Sequence, residues 1–278
     1  MSVRTMESPI PDPGAAGHPV SRYRELAPPP ALAGSVFCTW VQVIGDGATH
    51  HAQRVLPDGC VDLIWTESGP PHAVGPATCA TEARLPPGAA VLGVRFRPGC
   101  APLALGAPAS ELVDREVTLH DLWGRAAGSL SDRVLEQPTT AARFAAIEEQ
   151  LRPRLASARP PDPLASAAVT WLARHRSGRV EHLARELGIS ARQLNRRFAA
   201  AVGYGPKVFQ RVTRLQRLLV LGERPAGARE GLTQLALAAG YADQAHMTRE
   251  VRSLTGRTPT AVVGVAGASL AMSGLIEP

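Results

Sequence analysis

The sequence predicts an α+β chain: an N-terminal small antiparallel β-barrel or sheet with accessory helices, then an all-α domain of two helix-turn-helix units joined by a long helix. Three observations carry that prediction. Short apolar runs between Val36 and Arg97 are broken by Gly and Pro at strand-like lengths. The run Arg159-Pro160-Pro161-Asp162-Pro163 forbids helix and divides the chain into unlike halves. Beyond it, Val180–Pro206 and Leu232–Pro259 repeat one another.

A chain of 278 residues, 45% of them hydrophobic, is long enough for two domains that each bury a core. No stretch approaches the roughly eighteen uninterrupted apolar residues of a membrane helix, and the Pro-rich start lacks a charged region followed by an apolar one. A cytoplasmic protein without a membrane partner is expected.

Along the chain, residues 1–35 hold Pro9, Pro11, Pro13, Pro19 and Pro28-Pro29-Pro30, which starve the backbone of donors, so a flexible arm is expected. Residues 36–157 form the expected first domain. Val36–Ile44, Cys60–Trp65 and Ala90–Arg97 read as strands, and Pro57-Asp58-Gly59 as a turn in which proline presets φ and glycine takes the positive φ that follows. Residues 109–157 turn to Ala, Leu, Glu and Arg, with apolar spacing at Leu119, Leu122 and Trp123 and at Phe144, Ile147 and Leu151 that fits two or three helices. A linker at 158–164, a helical domain at 165–263 and a tail at 264–278 complete the layout.

Charge separates the halves. Residues 163–263 hold 16 Arg and Lys against 6 Asp and Glu, while the remainder holds 14 against 18. A basic domain beside an acidic one is what phosphate neutralisation needs, and its arginines also match the paired acceptors of guanine.

In the repeat, Leu183, Ala184 and Gly188 match Leu235, Ala236 and Gly240 at an offset of 52, and Ser190, Leu194, Arg196, Phe198, Gly203 and Pro206 match Asp243, Met247, Arg249, Val251, Gly256 and Pro259 at 53. The small alanine lets two helices approach closely, and the glycine ends the first in a left-handed conformation. Ser190 or Asp243 caps the second helix, whose apolar pair four residues apart points inward. These are helix-turn-helix units at 180–202 and 232–255. Opposite the apolar stripe the first copy offers Arg192, Asn195 and Arg196, and the second Gln244, Thr248 and Arg249, with Ala245 beside them. Arg on guanine and Asn on adenine make the first set the stronger for base reading. Ser190, Gln193, Lys207, Arg211, Arg214, His246 and Arg257 fall at the margin, where phosphates lie. Between the units, Pro206 opens a helix with Val208, Val212, Leu215, Leu218 and Leu219 inward, Arg211, Arg214 and Arg217 on a charged face, and an end at Gly222.

With LARELGISARQLNRRFAAAVGYGP, the connecting helix and LALAAGYADQAHMTREVRSLTGRTP in place, residues 165–263 resemble the AraC type of transcription regulators. The resemblance implies two recognition helices in successive major grooves, with Arg192, Asn195, Arg196, Gln244, Thr248 and Arg249 where that family contacts bases. Met247, Val251 and Ala261-Val262 stand where the family often has aromatics, and Glu223–Gly231 is unusually broken, so a thinner second unit is expected. LPDGCVDLIW at 56–65 and GVRFRPG at 93–99 resemble an N-terminal domain of unknown function in a subgroup of these regulators.

Elsewhere the first half offers little chemistry. The histidines at 50 and 51 with Glu67 or His72 lack the spacing of a metal site, and Asp58 and Asp62 read as a turn residue and a solvent-facing strand position. Cys38, Cys60, Cys79 and Cys100 read as free thiols. No cofactor or catalytic residue is expected. Double-stranded DNA is the expected partner, with RNA polymerase, a small-molecule effector of residues 36–157 and a second copy of the chain as further candidates. The alternatives weighed are a DNA-repair alkyl acceptor using Cys60 and a ligand-free dimerisation module.

Overall fold

A computed structural model describes residues 4–7, 21–45, 51–67, 69–175, 178–223 and 231–263. The first half is a sheet flanked by helices. Its strands are β1 (Arg4–Glu7), β2 (Ser21–Leu26), β3 (Val36–Ile44), β4 (His51–Val55), β5 (Val61–Thr66), β6 (Gly69–Val74), β7 (Thr81–Leu85), β8 (Ala90–Phe96) and β9 (Glu116–Thr118). All but β4 and β7 join one antiparallel sheet in the order β1-β2-β3-β8-β5-β6-β9, and β4 pairs with β7 as a separate two-stranded sheet.

Alternation along the central strands assigns the two faces. Val61, Leu63 and Trp65 of β5 and Leu92, Val94 and Phe96 of β8 turn to one side, where they pack with Leu105, Leu119, Leu130, Ile147 and Leu151. Those partners come from α1 (Ala101–Leu105), α2 (Leu119–Trp123), α3 (Arg125–Leu135) and α4 (Thr140–Ser157). The helical spacing of Phe144, Ile147 and Leu151 therefore marks the buried stripe of α4. The opposite sheet face carries Trp40, Asp62, Ile64, Val91 and Arg95, which together with β4 and β7 enclose a cavity of about 540 Å³.

Two expectations are corrected. Ser21–Leu26 pairs along its whole length with β3, so the arm does not extend to residue 35; a six-residue run between prolines is long enough to join a neighbouring ladder. Asp62 does not face solvent, since its carboxylate takes two hydrogen bonds from Arg95 across the ladder, at 2.9 and 2.7 Å. Strands β4, β6 and β7 lack the apolar runs by which their neighbours are read, and β6 accommodates Pro70 and Pro71 near the sheet edge.

The second half is helical: α5 (Pro163–Arg174), α6 (Val180–Glu186), α7 (Ala191–Val202), α8 (Pro206–Glu223), α9 (Leu232–Ala239), α10 (Gln244–Thr255) and α11 (Pro259–Val262). It has two cores. Leu183, Leu194, Phe198, Phe209 and Val212 gather around the first pair of helices, and Leu215, Leu219, Leu235, Met247 and Val251 around the second. Helix α8 serves both, its N-terminal half in one core and its C-terminal half in the other. The broken segment 223–231 lies mostly outside the described residues, as does the tail.

Candidate nucleic-acid interface

Each recognition helix is built as the repeat predicts. Helix α6 ends at Leu187, Gly188 turns with φ +68°, and Ser190 caps α7 in a reciprocal box, its hydroxyl accepting from the Gln193 amide while the Gln193 side chain accepts from the Ser190 amide. In the second copy Gly240 turns with φ +94° and the Asp243 carboxylate accepts from the His246 amide at 2.6 Å. Caps of this kind contribute about 1 kcal/mol each and fix where the first exposed turn begins.

The first turns then project different chemistry. Arg192, Gln193, Asn195 and Arg196 are all exposed on α7, while Leu194 and Phe198 are wholly buried beneath them. Neither Arg192 nor Arg196 has a hydrogen bond or ion pair among the described residues, so two guanidiniums are presented to solvent. Asn195 packs close over Gly205, where an added Cβ would lie 2.4 Å from its Oδ1.

On α10 the polar groups are largely engaged with the protein. Gln244 Oε1 accepts from the Thr233 hydroxyl at 2.8 Å, the Thr248 hydroxyl donates to the Gln244 carbonyl at 2.8 Å, and His246 lies 3.2 Å from Glu250. Arg249 is exposed. The expected base-reading residues of each copy thus share one helix face, but on the second Gln244, Thr248 and the neighbouring His246 are engaged with the protein, and Arg249 has no hydrogen bond or ion pair among the described residues.

The margin residues divide in the same way. Lys207 is exposed and 3.8 Å from Glu181, a pairing worth little in solvent. Arg257 is half-buried next to the second turn. Arg214 binds Glu250 in a fork at 2.7 and 3.1 Å and lies over the Tyr241 ring, and Arg211 reaches Ser253 at 2.9 Å. Arg217, expected on the charged face, is buried and donates to the Ala173 and Ala239 carbonyls. The reason is packing: α10 and α9 lie along that flank of α8, so its arginines tie the second unit to the connecting helix.

The first domain touches the DNA-binding half at three places that the sequence did not reveal. Gln216 of α8 donates to the Pro57 carbonyl at 2.7 Å, and Gly59, with φ +79°, lies under Phe209 and Tyr204, where a Cβ would meet Phe209 at 3.0 Å. Arg54 donates to the Thr255 carbonyl and the Ala80 amide to the Leu254 carbonyl, both at the end of α10. Gly203, at the end of α7, is closed over by Pro76 and Val113. Both recognition helices are thus held at their C-terminal ends, and their capped N-terminal turns remain exposed. The one signal available in the sequence was Gln216, a polar residue amid the inward positions of α8.

Cys60 is buried, and burial first and the neighbouring Asp58 carboxylate second push its thiol far above the ordinary range. A thiol held protonated and away from solvent is a poor nucleophile, which weighs against the alkyl-acceptor alternative. Asp162 behaves oppositely: although burial raises it, hydrogen bonds from Arg197 and from the Leu164 and Ala165 amides outweigh that push and lower its carboxyl below the usual value.

Two family models match separate parts of the chain. Residues 183–263 match a family described as a helix-turn-helix domain, and residues 24–118 match a domain of unknown function, DUF6597. No curated protein matches the chain. Among solved structures, a single-residue variant of ToxT from Vibrio cholerae is 12% identical, with 89% of this chain and 97% of that chain covered and a TM-score of 0.39. ToxT with an unsaturated fatty acid bound is 10% identical, covering 78% and 95%, with a TM-score of 0.40.

Proposed function

We propose, from the premise that the chain carries an AraC-type helix-turn-helix domain behind a domain of unknown function and is a DNA-binding transcription regulator, that it reads two adjacent major grooves unequally. Helix α7 supplies base recognition through Arg192, Asn195 and Arg196. Helix α10 supplies orientation and grip, with Gln244, Thr248 and Arg249 making fewer direct base contacts. Ser190, Gln193, Lys207, His246 and Arg257 approach phosphates, and Arg211 and Arg214 act through Glu250 by holding α10 against the connecting helix.

The observation that carries this reading is the exposed pair Arg192 and Arg196 on a capped helix, set against an α10 face where Gln244, Thr248 and His246 are engaged with the protein and Arg249 alone among the expected base readers is solvated. A side chain that already has a protein partner must break that contact to bind a base, whereas a solvated arginine exchanges water for the two guanine acceptors.

The first domain acts as the regulatory module. Its contacts through Arg54, Ala80, Pro57 and Gly59 reach the second unit and α8, and Arg54, Val55, Leu56, Asp58 and Cys60 of the same segment line the 540 Å³ cavity. A ligand there shifts the equilibrium between arrangements of the second unit by its differential affinity for them. RNA polymerase and a second copy of the chain are further partners in this reading.

Footprinting of the purified protein on its selected site tests the proposal. Protection of two major-groove patches on one face of the duplex, about one helical turn apart, is expected. Protection confined to one groove would refute the two-groove reading.

A further inference from the structure

The cavity of the first domain has an unusual floor. Register along the sheet places Cys38, Arg95 and Asp62 side by side, and one rung further along, Glu25, Trp40, Gly93 and Ile64. Arg95 is buried, and three carboxylates converge on its single guanidinium: Asp62 at 2.7 Å, Asp58 at 3.6 Å and Glu25 at 3.8 Å. Asp62 alone balances the arginine's charge, accepting from its Nε and Nη2. Asp58 and Glu25 add negative charge beyond that balance in a site from which solvent is largely excluded, where an uncompensated charge is costly.

A second observation comes from the adjoining rung. Trp40 lies across Gly93, where an added Cβ would fall 2.0 Å from its ring, and its ring centroid is 5.7 Å from that of Tyr23. Trp40 is only 6% exposed, lines the cavity, and its indole N–H has no hydrogen-bond partner among the described residues. A buried donor without an acceptor is costly, and it gains one if the ring turns to meet an oxygen that a ligand brings.

We propose that the cavity binds an organic ammonium ion that carries an oxygen acceptor. The cation sits over the Trp40 and Tyr23 faces and next to Asp58, while Glu25, which accepts from the Tyr23 hydroxyl and lies 3.8 Å from Arg95, adds negative charge from just outside the lining, and the acceptor meets the Trp40 N–H. Aromatic faces attract ammonium groups through the ring quadrupole, and the surplus carboxylates add Coulomb attraction that a neutral or anionic ligand of the same shape lacks. Burial raises the carboxyl of Asp58 against the opposing pull of Arg95, so a cation bound beside it favours its charged form. The mouth is close to neutral, with Arg54, Arg84 and Arg115 set against Glu82, Asp114 and Glu116. Selectivity for charge is therefore set by the floor. The cavity volume is that of a small-ligand site.

This inference rests on the reading of the first domain as an effector module. Its test uses the full chain without DNA, so its failure leaves the DNA-binding reading standing. Acetylcholine, choline and tyramine are titrated calorimetrically and by thermal shift, together with dimethylbutyl acetate, the uncharged isostere of acetylcholine in which carbon replaces nitrogen, and hexanoate. Saturable binding of at least one ammonium probe is expected, with acetylcholine at least tenfold tighter than its isostere and no binding of hexanoate.

Glu25→Gln keeps an acceptor for the Tyr23 hydroxyl and removes a surplus charge, so it should not lower the unliganded midpoint and should weaken the ammonium probes at least fivefold. Trp40→Phe should erase the advantage of acetylcholine over choline, because choline lacks the carbonyl. Equal binding of the isostere, preference for hexanoate, or no saturable binding by any ammonium probe would each overturn the proposal.

Discussion

The two helix-turn-helix units share one design and differ in what surrounds it. In the first, Phe198 meets Phe209 edge-on at 5.4 Å, the cap is reciprocal, and the outward arginines are solvated. In the second, smaller Met247 and Val251 fill the core, the cap is one-sided, and the outward face bonds to Thr233, Glu250 and its own backbone. The first domain also bonds directly to the last residues of α10, whereas it closes over the end of α7 by apolar contact. On the proposed reading, the duplicated motif divides labour by what the neighbours leave unsatisfied: the first unit keeps Arg192 and Arg196 free for DNA, and the second engages Gln244, Thr248 and His246 with the protein.

The largest expected difference is in stability. Phe198→Ala should cost about 3–5 kcal/mol, and Val251→Ala about 2 kcal/mol from two carbons and a small cavity, as read by denaturant unfolding. Equal losses would mean that the cores do not differ. Next comes DNA affinity. Arg196→Ala should cost about 1–3 kcal/mol and relax preference at one base position, whereas Arg249→Ala should cost less and leave base preference intact. A larger or more selective loss at Arg249 would reverse the assignment.

A smaller effect is expected at Glu250. Glu250→Gln weakens the hold on Arg211 and Arg214, so binding to unrelated duplexes should strengthen and the slope of log affinity against log salt should steepen by about 0.9 for each phosphate newly contacted. An unchanged slope would show that these arginines reach no phosphate even when released.

The smallest effect concerns acid stability near the first unit. Because the folded carboxyl of Asp162 lies below its unfolded value, its contribution is present above about pH 4 and is lost as pH falls through the folded value. Asp162→Asn should flatten the acid limb of a stability profile, and an unaltered limb would contradict the assigned shift.

The helical half was legible because a repeat states its own register: Gly188 and Gly240, Ser190 and Asp243, and the pairs Leu194/Phe198 and Met247/Val251 fall where the structure has turns, caps and cores. The first half was legible only where strands are buried and apolar. Strand β4 is polar, β6 contains two prolines and β7 reads Thr-Glu-Ala-Arg-Leu, so pairing partners decide what local pattern could not.

The long-range ties were hidden for the same reason. Arg214 and Glu250 stand 36 residues apart, and Arg54 and Thr255 stand 201 apart, so nothing local links them. Asp62 and Arg95 did leave a trace, as charged residues in otherwise apolar strands, but a period-two pattern with one polar face reads equally as solvent exposure. Only the covering sheet β4–β7 turns that face into a cavity.

The division of labour is tested most directly by selecting binding sites from randomised duplexes with the unaltered chain, Arg196→Ala and Arg249→Ala. The account predicts a motif of two blocks about one helical turn apart, of which the sharper is blurred by Arg196→Ala and neither is blurred by Arg249→Ala. Blocks of equal sharpness, each lost with its own arginine, would contradict it.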